Sequence, residues 1–187
     1  YHLEPPQSPL STPELMEEYP LVLTCGGRSW EFFHSENRQM PTMRELHREP
    51  FVIINPKTAE RFGIAEGDYV WIENDHGRFR QRARLSPEVN EQTVHAEHGW
   101  WFPEEAGEEP NLFGTFTANP NNCTKAFETG PSGVGSSIKC MICKIYPYRE
   151  GDVLPAEQIV TTKDFVEYLP GEGYADFEEY KSNGYRY

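Results

Sequence analysis

The segment Arg78-Phe79-Arg80-Gln81-Arg82-Ala83-Arg84-Leu85 alternates strictly. A period of two belongs to a strand with one face buried and one face wet. Phe79, Gln81, Ala83 and Leu85 share one side, and four arginines share the other. That arginine row reads first as a solvated face, with a phosphate-binding stripe as the minority reading. The turn Asn74-Asp75-His76-Gly77 precedes it and joins it to the strand Tyr69–Glu73 as a hairpin. Upstream, Phe51–Ile54 reads as a strand that runs into Asn55-Pro56, a helix N-cap followed by proline at the first helical position. Gly63 stops that helix after Phe62, about two turns on. Leu21–Thr24, Thr93–Ala96 and Ile138–Ile145 complete the set of short strands. About six or seven such strands with turn signals between them, and one clear short helix, predict a mainly β chain closed into a small barrel. No internal repeat is visible.

The ends differ from the middle. Residues 1–20 hold five prolines, four Glu and no Lys or Arg, and predict an extended arm or linker. From Tyr146 onward, nine acidic residues face four basic ones, in an acidic, tyrosine-rich C-terminal extension with one amphipathic turn at Asp164–Leu169. Residues 21–146 carry the barrel. The net charge of -13 argues against a sequence-independent nucleic-acid binder, which presents a basic face. No run of about 18 apolar residues is present to span a membrane. A start at Tyr1 reads as a cut from something longer. Of the four cysteines, Cys140 and Cys143 form a C-x-x-C. In a strand, residues three apart point to opposite faces. They are expected to be core residues, neither bound to a metal nor linked to each other. Cys25 and Cys123 show no disulfide spacing.

Chemistry concentrates in Thr24-Cys25-Gly26-Gly27-Arg28-Ser29-Trp30-Glu31-Phe32-Phe33-His34-Ser35-Glu36-Asn37-Arg38. A glycine turn after a strand lets backbone N–H groups approach a phosphate. Arg28 and Arg38 add bidentate donors, and His34 and Ser35 add further hydrogen-bonding groups. The spacing matches neither a P-loop nor the Rossmann fingerprint. On spacing alone, a structural glycine turn with solvated arginines and an anion site stand level. The six histidines are scattered, and no catalytic elbow or zinc-protease motif is present.

Taken together, several segments resemble the C-terminal molybdopterin-dinucleotide-binding domain of the dimethyl sulfoxide reductase family. They are Gly26–Ser35, Pro41–Leu46, Ile54–Ala59, Phe62–Val70, Asn74–Arg78, His98–Trp101, Asn119–Thr124 and the end of the last strand at Cys143–Ile145. The resemblance covers about Leu21 to Tyr146. It implies a six-stranded double-psi β-barrel that grips part of a bis-(molybdopterin guanine dinucleotide) cofactor of molybdenum or tungsten. It implies that Gly26, Gly27, Arg28, Ser29, Trp30, His34, Ser35 and Arg38 line the dinucleotide and that Asn121 meets the pterin. Arg28 and Arg38 are then expected on the barrel surface near Asn121. The family's last-strand lysine falls on Ile138 here, with Lys139 one residue on. The iron–sulfur cluster and the metal ligand of such enzymes belong to other parts of the parent protein. So do the partners expected of this chain, the remaining domains and an iron–sulfur electron-transfer subunit. The chain is expected to be a fragment or a small separate subunit, inactive and without cofactor when isolated. Its location is open between prokaryotic cytoplasm and periplasm. Trp100, Trp101, Phe102 and Phe113 are expected to form an exposed aromatic patch toward missing neighbours. A double-psi interaction module, such as an ATPase substrate-recognition domain, is the rival reading.

Overall fold

The structure, a computed structural model, describes residues 4–124, 138–155 and 158–159. Six strands form a closed barrel: β1 (Leu21–Gly27), β2 (Phe51–Ile54), β3 (Tyr69–Glu73), β4 (Arg78–Leu85), β5 (Thr93–Glu97) and β6 (Met141–Pro147). Around the barrel they run β1-β5-β2-β4-β3-β6. β1 pairs in parallel with β5, and β2 in parallel with β4; the other four pairings are antiparallel. Exchanging the first three strands with the last three maps every pairing onto another of the same sense. That internal two-fold pattern makes the fold a double-psi barrel, although the sequence shows no repeat.

The local signals around β2 and β4 act as read. Asn55 Oδ1 accepts from Lys57 N at 3.0 Å, and Gly63, at φ +66, closes α2 (Pro56–Phe62) in the left-handed conformation. Phe79, Gln81 and Ala83 point into the barrel. The arginines opposite are not freely solvated. Arg82 stacks on Tyr69 at 4.1 Å, Arg80 on Tyr148 at 4.5 Å and Arg84 on Phe51 at 3.8 Å.

Elsewhere the structure differs from the sequence reading. β1 does not stop at Thr24; it runs through both glycines with a bulge between Cys25 and Gly27. The stretch between β1 and Arg48 contains a short helix, α1 (Pro41–Leu46), whose proline fits its first position. The last strand starts at Met141, because Ile138–Cys140 form a turn. Cys143 is therefore buried in the barrel, whereas Cys140 lies half-buried ahead of it. The N-terminal arm is not merely extended. It makes a 3-10 turn at Pro13–Glu17, buries Ser8 and Tyr19, and ties down through Gln7 to Asp75 (2.9 Å) and Glu18 to Lys144 (2.9 Å). Residues 148–155 lie across β3, where Trp71 Nε1 donates to Asp152 at 3.0 Å. The amphipathic turn expected at 164–169 lies outside the described residues.

The register decides where function can sit. The C-terminal ends of β1, β3 and β5 and the N-terminal ends of β2, β4 and β6 all meet at one end of the barrel. The long connections between β1 and β2, and between β5 and β6, both start and finish there. The opposite end carries α2 and the turn between β4 and β5, and there the chain enters β1 and leaves β6.

Candidate functional site at one end of the barrel

The glycine bulge forms the floor of this end. Gly26 has φ +117, and a Cβ there would overlap the Lys139 ammonium; a Cβ on Gly27 would overlap His95 Nε2. Two basic groups thus press against bare backbone that only glycine can offer. Beyond the bulge the chain turns back on itself, with Ser29 O accepting from Phe33 N at 3.0 Å. Phe33 and Asn37 hold positive φ of 59° and 66°. His34 Nδ1 then lies 2.8 Å from Nε2 of His98. Ser35 packs against Gly99, and Trp101 Nε1 donates to the Ser35 carbonyl at 2.7 Å.

The predicted site residues divide as follows. Gly26, Gly27, His34 and Ser35 converge with Lys139, His95 and His98. Arg28 is exposed and stacks on Phe33 at 4.7 Å. Ser29 and Trp30 line an open cleft of about 290 Å³ with Arg84, His95 and Glu97, and the Trp30 ring is fully exposed. Asn121, also exposed, sits in the 3-10 turn Pro120–Cys123, fastened by Asn74 Nδ2 to Cys123 O at 2.8 Å. Asn74 opens the β3–β4 hairpin, so Asn121 and the glycine bulge occupy the same barrel end.

Arg38 is a correction. It was expected on the surface, and it is only 2% exposed. Its guanidinium lies over Trp100 at 4.4 Å and Phe32 at 4.8 Å, and donates to the His34 carbonyl at 3.1 Å. Nε and Nη1 have no partner, and burial pulls its pKa down to about 10. From this buried position it braces the loop from behind. Trp100 is likewise buried and leaves the expected aromatic patch. Trp101 and Phe102 are half-buried, and Phe113 is 41% exposed. The exposed large apolar side chains beside the site are Trp30, Leu46 and Phe33.

Two supports were not visible in the sequence. His47 stands between Glu31 and Glu97, with Nδ1 3.4 Å from one carboxylate and Nε2 3.1 Å from the other. The second contact is close enough for an ion pair, though it is off the line of a good hydrogen bond. Burial opposes its charged form, but the two carboxylates outweigh burial and raise its pKa. Gln81, fully buried, donates to Glu97 O at 2.7 Å and Ala118 O at 3.0 Å, and accepts from Glu97 N at 3.1 Å. It joins β5 to the Asn121 segment.

A closed double-psi barrel with both long connections at one end, and basic groups gathered over a bare glycine bulge, is a module for holding an anionic ligand. The model of the Molydopterin dinucleotide binding domain matches residues 21–141, and the chain belongs to that family, the molybdopterin-dinucleotide-binding domains of molybdoenzymes. It is 40% identical over 147 residues to dopamine dehydroxylase of Eggerthella lenta, covering 78% of this chain and 14% of that protein. It is 36% identical over 120 residues to acetylene hydratase of Syntrophotalea acetylenica, covering 64% of this chain and 16% of that protein. Among solved structures, acetylene hydratase from Pelobacter acetylenicus superposes with a TM-score of 0.72 at 30% identity, over 78% of this chain and 21% of that one. The chain therefore spans about a seventh of the length of the dopamine dehydroxylase it matches.

Proposed function

We propose that this chain is the C-terminal domain of a larger molybdenum or tungsten oxidoreductase. In this reading the barrel end built from Gly26–Ser35, Lys139 and Asn121 grips part of a bis-(molybdopterin guanine dinucleotide). The observation that carries it is the glycine bulge. The Lys139 ammonium and the His95 ring occupy the space that side chains at positions 26 and 27 would fill, so a phosphate can meet backbone N–H groups and positive charge together. The buried, unpartnered Nδ1 of His98 adds a polar atom that a bound group can satisfy. These residues fit the cofactor that the family binds.

The roles follow from placement. The backbone of Gly27–Ser29 hydrogen-bonds the pyrophosphate, and Lys139 and Arg28 balance its charge. His34 and Ser35 fix the adjoining part, and Asn121 reaches the pterin side. When bound, the cofactor supplies the metal-centred redox chemistry. The chain contributes rigidity and charge, and alone it is expected to catalyse nothing. Trp30, Phe33 and Leu46 are then covered by the other domains, which carry the metal ligand and the iron–sulfur cluster and which meet an electron-transfer subunit. A pure interaction module would have no need for converging basic groups over bare backbone.

The test is cofactor content. In the full-length protein, Lys139→Glu with Gly27→Val is expected to lower the pterin recovered per polypeptide at least fivefold, read by the fluorescence of the oxidised pterin. Arg82→Glu, away from this end, leaves it unchanged. Equal pterin in both variants, with folding intact by circular dichroism, overturns the assignment.

A further inference from the structure

We infer that the His34–His98 pair takes up a proton when a pyrophosphate-type anion settles on the Gly26–Gly27 bulge, so that protonation and anion binding at this barrel end reinforce each other. The inference rests on the reading of that end as the dinucleotide site.

The pair is held face to edge, with ring centroids 5.0 Å apart and planes at 81°, by the 2.8 Å contact between His34 Nδ1 and His98 Nε2. With one proton in that contact, the remaining ring nitrogens decide the charge. His98 Nδ1 is buried and makes no hydrogen bond of good geometry. The Gly27 backbone lies within hydrogen-bonding reach of this ring and favours its charged form.

The charges around the pair oppose an added proton. Arg38 reaches it through the His34 carbonyl at 3.1 Å. Lys139 stands against Gly26, and His95 stands against Gly27. The carboxylate facing His34 is Glu36, whose Oε2 accepts the His34 backbone N–H at 3.1 Å from an exposed position. Glu97 is already engaged by His47 and by Phe51 N. Burial first, and then the charges of His34, Lys139 and Arg38, hold the His98 pKa below the usual histidine value.

An anion on the bulge reverses the balance. It neutralises Lys139, the nearest cation to the bulge, and places negative charge beside both rings. An opposite charge within about 4–6 Å moves a titration by about 1–3 units. The pair then keeps its added proton to higher pH than it does without the anion. Binding tightens as pH falls through this window, by up to about tenfold per unit for one proton taken up.

The experiment is a histidine-ring NMR titration of the 187-residue chain with and without inorganic pyrophosphate, with the Gly26 and Gly27 amides as the binding report. His98→Asn assigns the His34 ring. Reading the rings directly keeps the probe's own titration out of the result. Expected is an upward move of the pair's midpoint by about one unit or more when pyrophosphate is present. Unchanged ring titrations with shifted glycine amides overturn the proton coupling but leave the anion site standing. Glycine amides that do not respond at millimolar pyrophosphate overturn the site itself.

Discussion

The loss of His47 should be costly to this barrel end, and the expected cost can be worked through. The ring is 9% exposed and lies 5.1–5.6 Å from the rings of Phe51, Trp100 and Phe32, between the carboxylates of Glu31 and Glu97. His47→Ala removes two charge-assisted contacts and leaves a gap among three aromatic rings. Hydrogen bonds to charged groups contribute about 1.5–3 kcal/mol each when buried. Glu31 is partly exposed and recovers water, and Glu97 keeps the Phe51 amide, so the polar loss falls toward the lower figure. The gap adds about 1–2 kcal/mol. A loss of about 3 kcal/mol results, or about 6–12 °C in Tm for a chain of this size. The pH dependence has a definite sign. The folded pKa of His47 is raised, so the charged contribution is complete below about pH 6.5 and fades as pH rises through the raised value. Denaturant unfolding from pH 5.5 to 8.5 should show wild-type stability falling across that window and His47→Gln falling less. A His47→Ala variant within 1 kcal/mol of wild type, or an unchanged pH slope in His47→Gln, would refute the reasoning.

Other substitutions separate the parts of the account. Gln81→Leu strips the barrel interior of three hydrogen bonds and orphans Glu97 N–H and two carbonyls, for an expected loss of about 2–4 kcal/mol in urea unfolding. Gly26→Ala forces a Cβ at φ +117 against the flexible end of Lys139, costing about 1–2 kcal/mol and weakening pyrophosphate binding in the same NMR assay. Arg38→Met keeps an apolar side chain against Trp100 and removes two unpartnered buried nitrogens, while giving up the guanidinium stack and the bond to the His34 carbonyl. Its thermal midpoint should stay within a few degrees of wild type, whereas Arg38→Ala, which opens a cavity under the loop, should fall further.

What the sequence shows of this fold is local. Phe51 to Leu85 reads correctly element by element because each boundary carries its own chemistry: the Asn55 cap, Pro56, the left-handed Gly63 and the four-residue hairpin turn. The parallel pairings β1 with β5 and β2 with β4 join residues about 30 to 70 apart, and no local pattern encodes them. The barrel topology was legible only through the family resemblance. α1 was missed because Met40 offers no side-chain cap, which left Pro41 as its sole signal. At the site, the glycines and His34 stood out as a cluster. His98 and Lys139 reach that cluster from 64 and 113 residues away, counted from His34 and Gly26, and alternation cannot place a turn residue such as Lys139. Arg38 misled because an arginine in a polar segment reads as surface, whereas here a carbonyl and two aromatic faces let it lie inside.

The central claim is that one end of this barrel, and not the other, receives the dinucleotide. A structure of the cofactor-loaded full-length protein tests it most directly. The pyrophosphate should lie within hydrogen-bond distance of the Gly27–Ser29 backbone and the Lys139 ammonium, with Asn121 on the pterin side. Phosphates seated at the opposite end, beside α2 and the Gly63–Gly67 turn, would contradict it.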